Sequence, residues 1–181
     1  MSATAATTNA RPPTPRLRRC AAAGDTTFNE SFATAVERIG VQRWLAANGS
    51  AEAKQQYAAL DARREEFRAL TGRYRDRLEA LYAGPAEEAA KRQAKAALMA
   101  ELRGEYARVK AERWGGFAGY DGWFERANNA SFGVLAAYNE LVPAFERLFE
   151  RQGGDFTRFY AEVGRLASLP KAQRHATLRA N

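Results

Sequence analysis

The stretch YAALDARREEFRALTGRYRDRLEAL, residues 57 to 81, carries the strongest periodicity of the chain. Its apolar side chains recur at alternating spacings of three and four positions, namely Tyr57, Leu60, Phe67, Tyr74, Leu78 and Leu81, with Arg64 and Thr71 filling the gaps. This spacing places them on one helix face as a heptad-like seam. Because Ser50 offers an N-cap before the run, the pattern predicts one long helix from about residue 50.

Gly84-Pro85 interrupts this periodicity. Glycine is typical of a helix C-cap, and proline of the first turn of a following helix. Helical spacing then resumes towards Gly115-Gly116, through Ala89, Leu98, Met99, Leu102, Tyr106 and Val109. Since the break is short, we predict an antiparallel αα-hairpin over about residues 50–113, with arms of roughly 40 to 50 Å at ~1.5 Å per residue.

The segment before the hairpin predicts another helix. Asp25 is an N-cap candidate directly ahead of a periodic run that includes Phe28, Phe32, Ala35, Val36 and Ile39. The helix is expected to end near Ala47, where Asn48-Gly49 offers left-handed residues.

After the hairpin, residues 114–123 are aromatic and rich in glycine, which predicts a loop packed by its own aromatic side chains. Further helical segments follow, with a kink or restart at Pro143, an N-cap at Asp155 and a terminal helix opened by Pro170. No strand pattern is present in the sequence, so the predicted fold is all-α, with one helical domain over residues 24–181.

Residues 1–23 combine prolines, small residues and arginines with little apolar surface, and we predict a disordered tail there. Of the net charge of +7, four arginines before Asp25 supply +4, so the rest of the chain is nearly balanced. Its charges are interleaved along helices, which argues against a nucleic-acid-binding surface. A partner of that kind, bound through the tail, would show steep salt dependence.

Cysteine and hydropathy patterns limit the chain further. No apolar run reaches the ~20 residues that a membrane-spanning helix needs. Cys20 is the only cysteine, which leaves a single chain without a disulfide or a thiolate cage. It follows arginines rather than the small residues of a lipidation site, and no signal peptide precedes it. We therefore expect an exposed, inert thiol, while the compartment and the oligomeric state stay open.

The segment TTFNESFA, residues 26 to 33, is the one in which residue order says more than periodicity does. An Asn-Glu pair, Asn29-Glu30, opens an amphipathic helix, and a second acid, Glu37, follows seven positions after Glu30. This resembles the third-ligand helix of gluzincin metallopeptidases, which in the aminopeptidase branch reads Asn-Glu-Gly-Phe-Ala. Here Ser31 stands in the place of the glycine.

A wider resemblance covers nearly everything from Gly24 onward. The three runs GDTTFNESFATAVERIGVQRWL, WFERANNASFGVLAAYNELVPAF and GGDFTRFYAEVGRLASLPKAQRHA resemble the C-terminal half of the bacterial family called putative aminopeptidase. The resemblance implies a peptide substrate, hydrolysis of N-terminal peptide bonds by zinc-bound water, and Glu30 as a zinc ligand. In that family a His-Glu-Leu-Ala-His-Gln helix lies shortly upstream.

That upstream helix is missing from this sequence. A hydrolytic zinc site takes two imidazoles four positions apart and a carboxylate from a second helix, with a glutamate as general base. The chain has one histidine, His175, in its terminal segment, where we expect an ordinary surface residue. We therefore expect a truncated chain that binds no zinc and has no activity by itself.

Several candidate residues keep two interpretations at this stage. Glu30 is either the zinc ligand or an acid favoured by the helix dipole, and Glu37 is either a second-shell partner or a solvated charge. Asn128 and Asn129 fit a peptide-binding pair or helix caps. Tyr138 fits either a hydroxyl that stabilises an oxyanion or a core side chain.

The aromatic residues between positions 114 and 124 admit two roles as well, the floor of a substrate cleft or packing in the core. A different class of function is a non-catalytic interaction module, in which the heptad-like seam receives a partner helix.

Overall fold

The computed structural model describes residues 20–180, and within that range the chain forms helices and no strands. In chain order they are α1 (Thr26–Asn48), α2 (Ala51–Ala83), α3 (Glu88–Glu112), α4 (Asp121–Arg126), α5 (Asn129–Asn139), α6 (Val142–Arg151), α7 (Phe156–Ala167) and α8 (Lys171–Ala180). The all-α prediction is confirmed. The predicted disorder of residues 1–19 falls outside the described residues.

Helix α1 begins at the predicted cap, since Asp25 accepts a hydrogen bond from the Phe28 N–H at 3.2 Å. Its end differs from the prediction. Gly49 is extended, with φ −76°, rather than left-handed. Its N–H donates to the Leu45 carbonyl oxygen at 2.8 Å, and a Cβ at this position would lie 2.7 Å from that same oxygen. Close approach, and not a positive φ, therefore explains the glycine.

The hairpin is confirmed. The Ser50 hydroxyl caps α2 by accepting from the Ala53 N–H at 3.1 Å. The seam of α2 and the facing side of α3 are buried together, through Phe67, Leu70, Tyr74, Leu78, Met99, Leu102 and Tyr106. Pro85 was expected in the first turn of α3, but α3 begins only at Glu88, so the proline lies in the connection.

The aromatic segment is shorter as a loop than predicted, because α4 already begins at Asp121. Gly115 and Gly116 adopt φ values of +56° and +78°, which explains a glycine pair after α3. Trp114 and Phe124 are buried, and Phe124 stacks on Tyr106 with ring centroids 3.8 Å apart. Core packing is thus the role of these two aromatic residues.

The buried side chains form two clusters. The first joins α1, α6, α7 and α8 through residues such as Phe28, Phe145 and Phe159. The second joins the hairpin to α4 and α5. Pro143 stands at the start of α6, as the predicted restart requires. None of the described helices is both long and apolar enough to cross a bilayer.

Arg38 lies between the two clusters, where α1, α2 and α6 meet. Its Nη2 is 3.6 Å from Asp61 Oδ2 on α2, and its Nε is 3.2 Å from Glu146 Oε1 on α6. Burial raises the pKa of the Glu146 carboxyl although Arg38 lowers it. The junction that Arg38 spans is concave, and the candidate site lies in it.

Candidate functional site

Glu30 lies in the first turns of α1 and is half-buried. Its neighbour Asn29 points the other way: the Asn29 amide donates to the Ala22 carbonyl oxygen at 2.9 Å and accepts from the Ala22 N–H at 2.8 Å. The Glu30 carboxylate makes no hydrogen bond or ion pair with any residue between 20 and 180. In the Asn-Glu pair, the Asn29 amide is therefore fixed by hydrogen bonds, whereas the Glu30 carboxylate has no partner in the described chain.

Ser31 fixes the rotation of α1 that aims Glu30 away from the core. Its side chain is fully buried, and its hydroxyl donates to the Ala137 carbonyl oxygen at 3.1 Å and accepts from the Leu141 N–H at 3.2 Å. Ala137 belongs to the last turn of α5, and Leu141 to the break between α5 and α6. Phe32 beside it is also buried, so Glu30 is left on the opposite side.

Glu37 and Tyr138, two of the predicted candidates, line one recess of about 280 Å³ between α1, α2 and α5. Thr34, in the same lining, stands one turn after Glu30 on the same face of α1. The core interpretation of Tyr138 is wrong, because 44% of this side chain is exposed. The hydroxyl is therefore available to a ligand.

Asn128 and Asn129 lie elsewhere. Asn128 caps α5, accepting from the N–H groups of Ala130 and Ser131 at 2.9 and 3.3 Å, which agrees with its interpretation as a cap. Asn129 donates to the Tyr82 hydroxyl oxygen at 3.0 Å, near the turn of the hairpin. Neither residue lines the recess that holds Tyr138.

His175 is not the ordinary surface residue that the sequence predicts. Its Nε2 lies 2.8 Å from Asp25 Oδ2, and Arg174 donates to the same carboxylate oxygen. Asp25 is 1% exposed and Arg174 5% exposed. No local signal in the sequence predicts this contact, because His175 and Asp25 lie 150 positions apart.

Cys20 also differs from its prediction. The thiol is buried, donates to the Tyr160 carbonyl oxygen at 3.4 Å, and has a pKa raised by burial. Ala22 is buried beside it in the first cluster. The part of the predicted tail after residue 19 is therefore packed against α1 and α7. The aromatic residues that follow Gly24 in the sequence supply the apolar surface that this tail segment lacks.

The described residues do not fit a complete zinc site. Between residues 20 and 180, no group of three or more His, Cys, Asp or Glu side chains converges as metal ligands would. Asp25 and His175 are close together, but the buried guanidinium of Arg174 contacts the same carboxylate and opposes a second cation. Glu30 does not complete a three-ligand group with these two residues.

The described chain is thus an all-α structure in which Glu30, a carboxylate without a partner among residues 20–180, lies on the helix that lines a charged recess. A family model described as "Putative aminopeptidase" matches residues 18–178, and the chain belongs to that family. This membership supports, at the level of the family, the peptidase character that the sequence resemblance implies. A search of curated proteins and a search of solved structures found no match.

Proposed function

We propose that this chain serves the hydrolysis of N-terminal peptide bonds as the part of an aminopeptidase that contributes Glu30 as a zinc ligand, and that it is inactive alone. The family match over residues 18–178 carries the proposal. The half-buried, unpartnered carboxylate of Glu30 supports it, because a ligand must not be engaged by a competing cation.

We expect the chain to be inactive alone because it has too few zinc ligands. A catalytic zinc ion takes three protein ligands and keeps one open position. The sequence contains one histidine, and that histidine is held by Asp25 far from Glu30 in the sequence. The two imidazoles would have to come from a segment with the His-Glu-Leu-Ala-His-Gln pattern of the family, which none of the 181 residues supplies.

The direct test uses the purified chain. We expect no stoichiometric zinc by metal analysis and no chelator-sensitive release of nitroaniline from leucine p-nitroanilide. A synthetic helical peptide with the family's His-Glu-Leu-Ala-His-Gln sequence, added in equimolar amount, should raise the zinc affinity above that of either component. Stoichiometric zinc with chelator-sensitive turnover in the chain alone would contradict the proposal.

The interaction-module hypothesis loses its structural basis over residues 67–78 of the seam. Phe67, Tyr74 and Leu78 are between 2% and 7% exposed, since α3, α4 and α5 already cover them. A partner helix would have to displace this cluster. The peptidase proposal is therefore the one that the described residues favour.

A further inference from the structure

The recess between α1, α2 and α5 has an aromatic floor and a charged rim. Phe67 and Tyr120 form the floor as stacked rings, with centroids 4.2 Å apart and an angle of 12° between the planes. The rim contains one acid, Glu37, and three guanidinium groups, those of Arg38, Arg64 and Arg68. A concave apolar surface with a few convergent polar groups is the usual form of a small-molecule site.

Two of the three guanidinium groups are already neutralised. Arg38 pairs with Asp61 and Glu146, and Arg68 pairs with Glu65. Arg64, by contrast, makes no ion pair or hydrogen bond with any residue of the 20–180 range, although it is half-buried. The recess therefore offers one free cationic group.

Glu37 is the complementary anionic group. It makes no hydrogen bond or ion pair within the described part of the chain either. Its carboxylate and the Arg64 guanidinium both line the recess, yet they lie more than 4.0 Å apart, because no ion pair joins them. Two opposite charges that face one cavity without meeting leave space for a ligand that carries both.

The neutral side chains of the lining also have hydrogen-bonding capacity to spare. The hydroxyl groups of Thr34, Tyr120 and Tyr138 have no hydrogen-bond partner among the described residues. Asn139 donates its amide to the Leu135 carbonyl oxygen at 2.8 Å, which leaves its side-chain oxygen to accept. Burial raises the pKa of the Tyr120 phenol against the opposing effect of nearby Arg64, so this hydroxyl stays protonated and can donate.

We propose that this recess binds a short zwitterionic peptide, with its α-ammonium group at Glu37 and its α-carboxylate at Arg64. The Tyr120 hydroxyl donates a second hydrogen bond to the carboxylate, since Tyr120 and Arg64 line the same recess. The phenyl floor receives an apolar side chain. The peptide class rests on the proposed aminopeptidase function, but the binding itself involves neither Glu30 nor a metal.

The positions of the two charged groups and the volume of the recess limit the length of the ligand. A free amino acid carries both charges on one carbon, whereas a short peptide separates them and can also place a side chain on the aromatic floor between Glu37 and Arg64. A long peptide places its carboxylate outside the 280 Å³ of the recess. Dipeptides and tripeptides are therefore the expected ligands.

The test is isothermal titration calorimetry of the full chain in EDTA. The probes are L-leucyl-L-leucine, its C-terminal amide, its N-acetyl derivative and free leucine. A charge-assisted hydrogen bond to each end makes us expect leucyl-leucine to bind at least about tenfold more tightly than the amide or the acetylated peptide. Free leucine should also bind more weakly.

Two substitutions test which residue of the recess binds each end of the peptide. Arg64→Gln should abolish the preference for the acid over the amide and keep the preference for the free amine. Glu37→Gln should do the reverse. Arg108→Gln and Glu112→Gln change exposed charges on α3, outside the recess, and should keep both preferences.

Several results would overturn the proposal: equal affinity of wild-type protein for the free and blocked peptides, equal affinity for leucine, no binding, or unchanged preferences in both recess variants. The comparison of blocked peptides needs no variant, so a misfolded substitution does not remove the test. Because EDTA is present throughout, failure here is separate from failure of the zinc experiment.

Discussion

Asp25 performs two structural tasks with one carboxylate. Oδ1 accepts from the Phe28 N–H at the start of α1, while Oδ2 receives Arg174 and His175 from α8. Lys171 lies 3.9 Å from Oδ1 at the start of the same terminal helix. The first helix and the last helix of the described chain are therefore joined by this single buried residue.

Replacement of Asp25 should be among the most destabilising single changes. Asp25→Ala leaves the buried guanidinium of Arg174 without its counter-ion, and breaking a buried pair in this way costs about 3 to 5 kcal/mol. Asp155→Ala is the matched control. Asp155 also caps a helix, by accepting from the Arg158 N–H at 2.9 Å, but it is exposed, so its loss should cost about 1 kcal/mol. Chemical denaturation measures both, and equal losses would contradict the role of the buried pair.

Asp25 should also make the free energy of unfolding depend on pH. Burial raises the pKa of the Asp25 carboxyl, but the hydrogen bonds from the Phe28 N–H, His175 and Arg174 outweigh it, so the folded pKa lies below 3.8. The unfolded chain therefore takes up this proton first as the pH falls. The stabilisation is present above the unfolded value and is lost as the pH falls through the folded pKa.

We expect the free energy of unfolding of the wild-type protein to fall more steeply below about pH 4 than that of Asp25→Asn. Denaturation curves collected between neutral and acid pH give both slopes. Parallel slopes for the two proteins would show that Asp25 is not the group that titrates.

At the level of elements, Ser31 holds α1 against the last turn of α5 and the break that follows it. Ser31→Ala would leave the buried Leu141 N–H without this acceptor, which costs about 1 to 3 kcal/mol. Ser131→Ala is the control, because Ser131 accepts from the Asn128 N–H at an exposed helix start and should cost less. Thermal unfolding measures the difference. If Ser31→Ala lost no more stability than Ser131→Ala, the buried contact would not be an important source of stability.

The helices themselves could be predicted because their signals are local. The periodicity from Tyr57 to Leu81, the caps Ser50 and Asp155, and Pro143 each act within a turn or two of their own helix, and the structure has each where expected. Helix boundaries near glycine were less predictable. Gly49 is needed because its backbone lies close to the Leu45 carbonyl oxygen. The sequence alone does not distinguish this reason for a glycine from a left-handed cap.

The candidate site was predicted only in part, because its contacts join distant positions. The sequence indicates Glu37 and Tyr138 as separate candidates, and only the packing of α1 on α5 brings them to one recess. In the periodicity of α2, Arg64 only fills a gap in the apolar seam, yet it lines the same recess. His175 and Asp25 are 150 positions apart, so no spacing rule could pair them.

For the whole molecule, the junction between the two buried clusters contains partly buried charged side chains. Arg38 spans it through Asp61 and Glu146, and its buried Nε and the Asp61 Oδ1 have no well-formed hydrogen bond among the described residues. The peptide recess and Glu30 both lie along α1, on the side away from the first cluster. One helix thus carries the proposed ligand carboxylate and one wall of the proposed peptide site.

The zinc affinity of the chain mixed with the synthetic His-Glu-Leu-Ala-His-Gln helix tests the role of Glu30 most directly. Glu30→Gln removes the negative charge with little change of shape and should weaken that affinity at least about tenfold. Glu112→Gln, a change of an exposed acid on α3, should leave it unchanged. An unchanged affinity in Glu30→Gln, or equal losses in both variants, would contradict the assignment of Glu30 as a metal ligand.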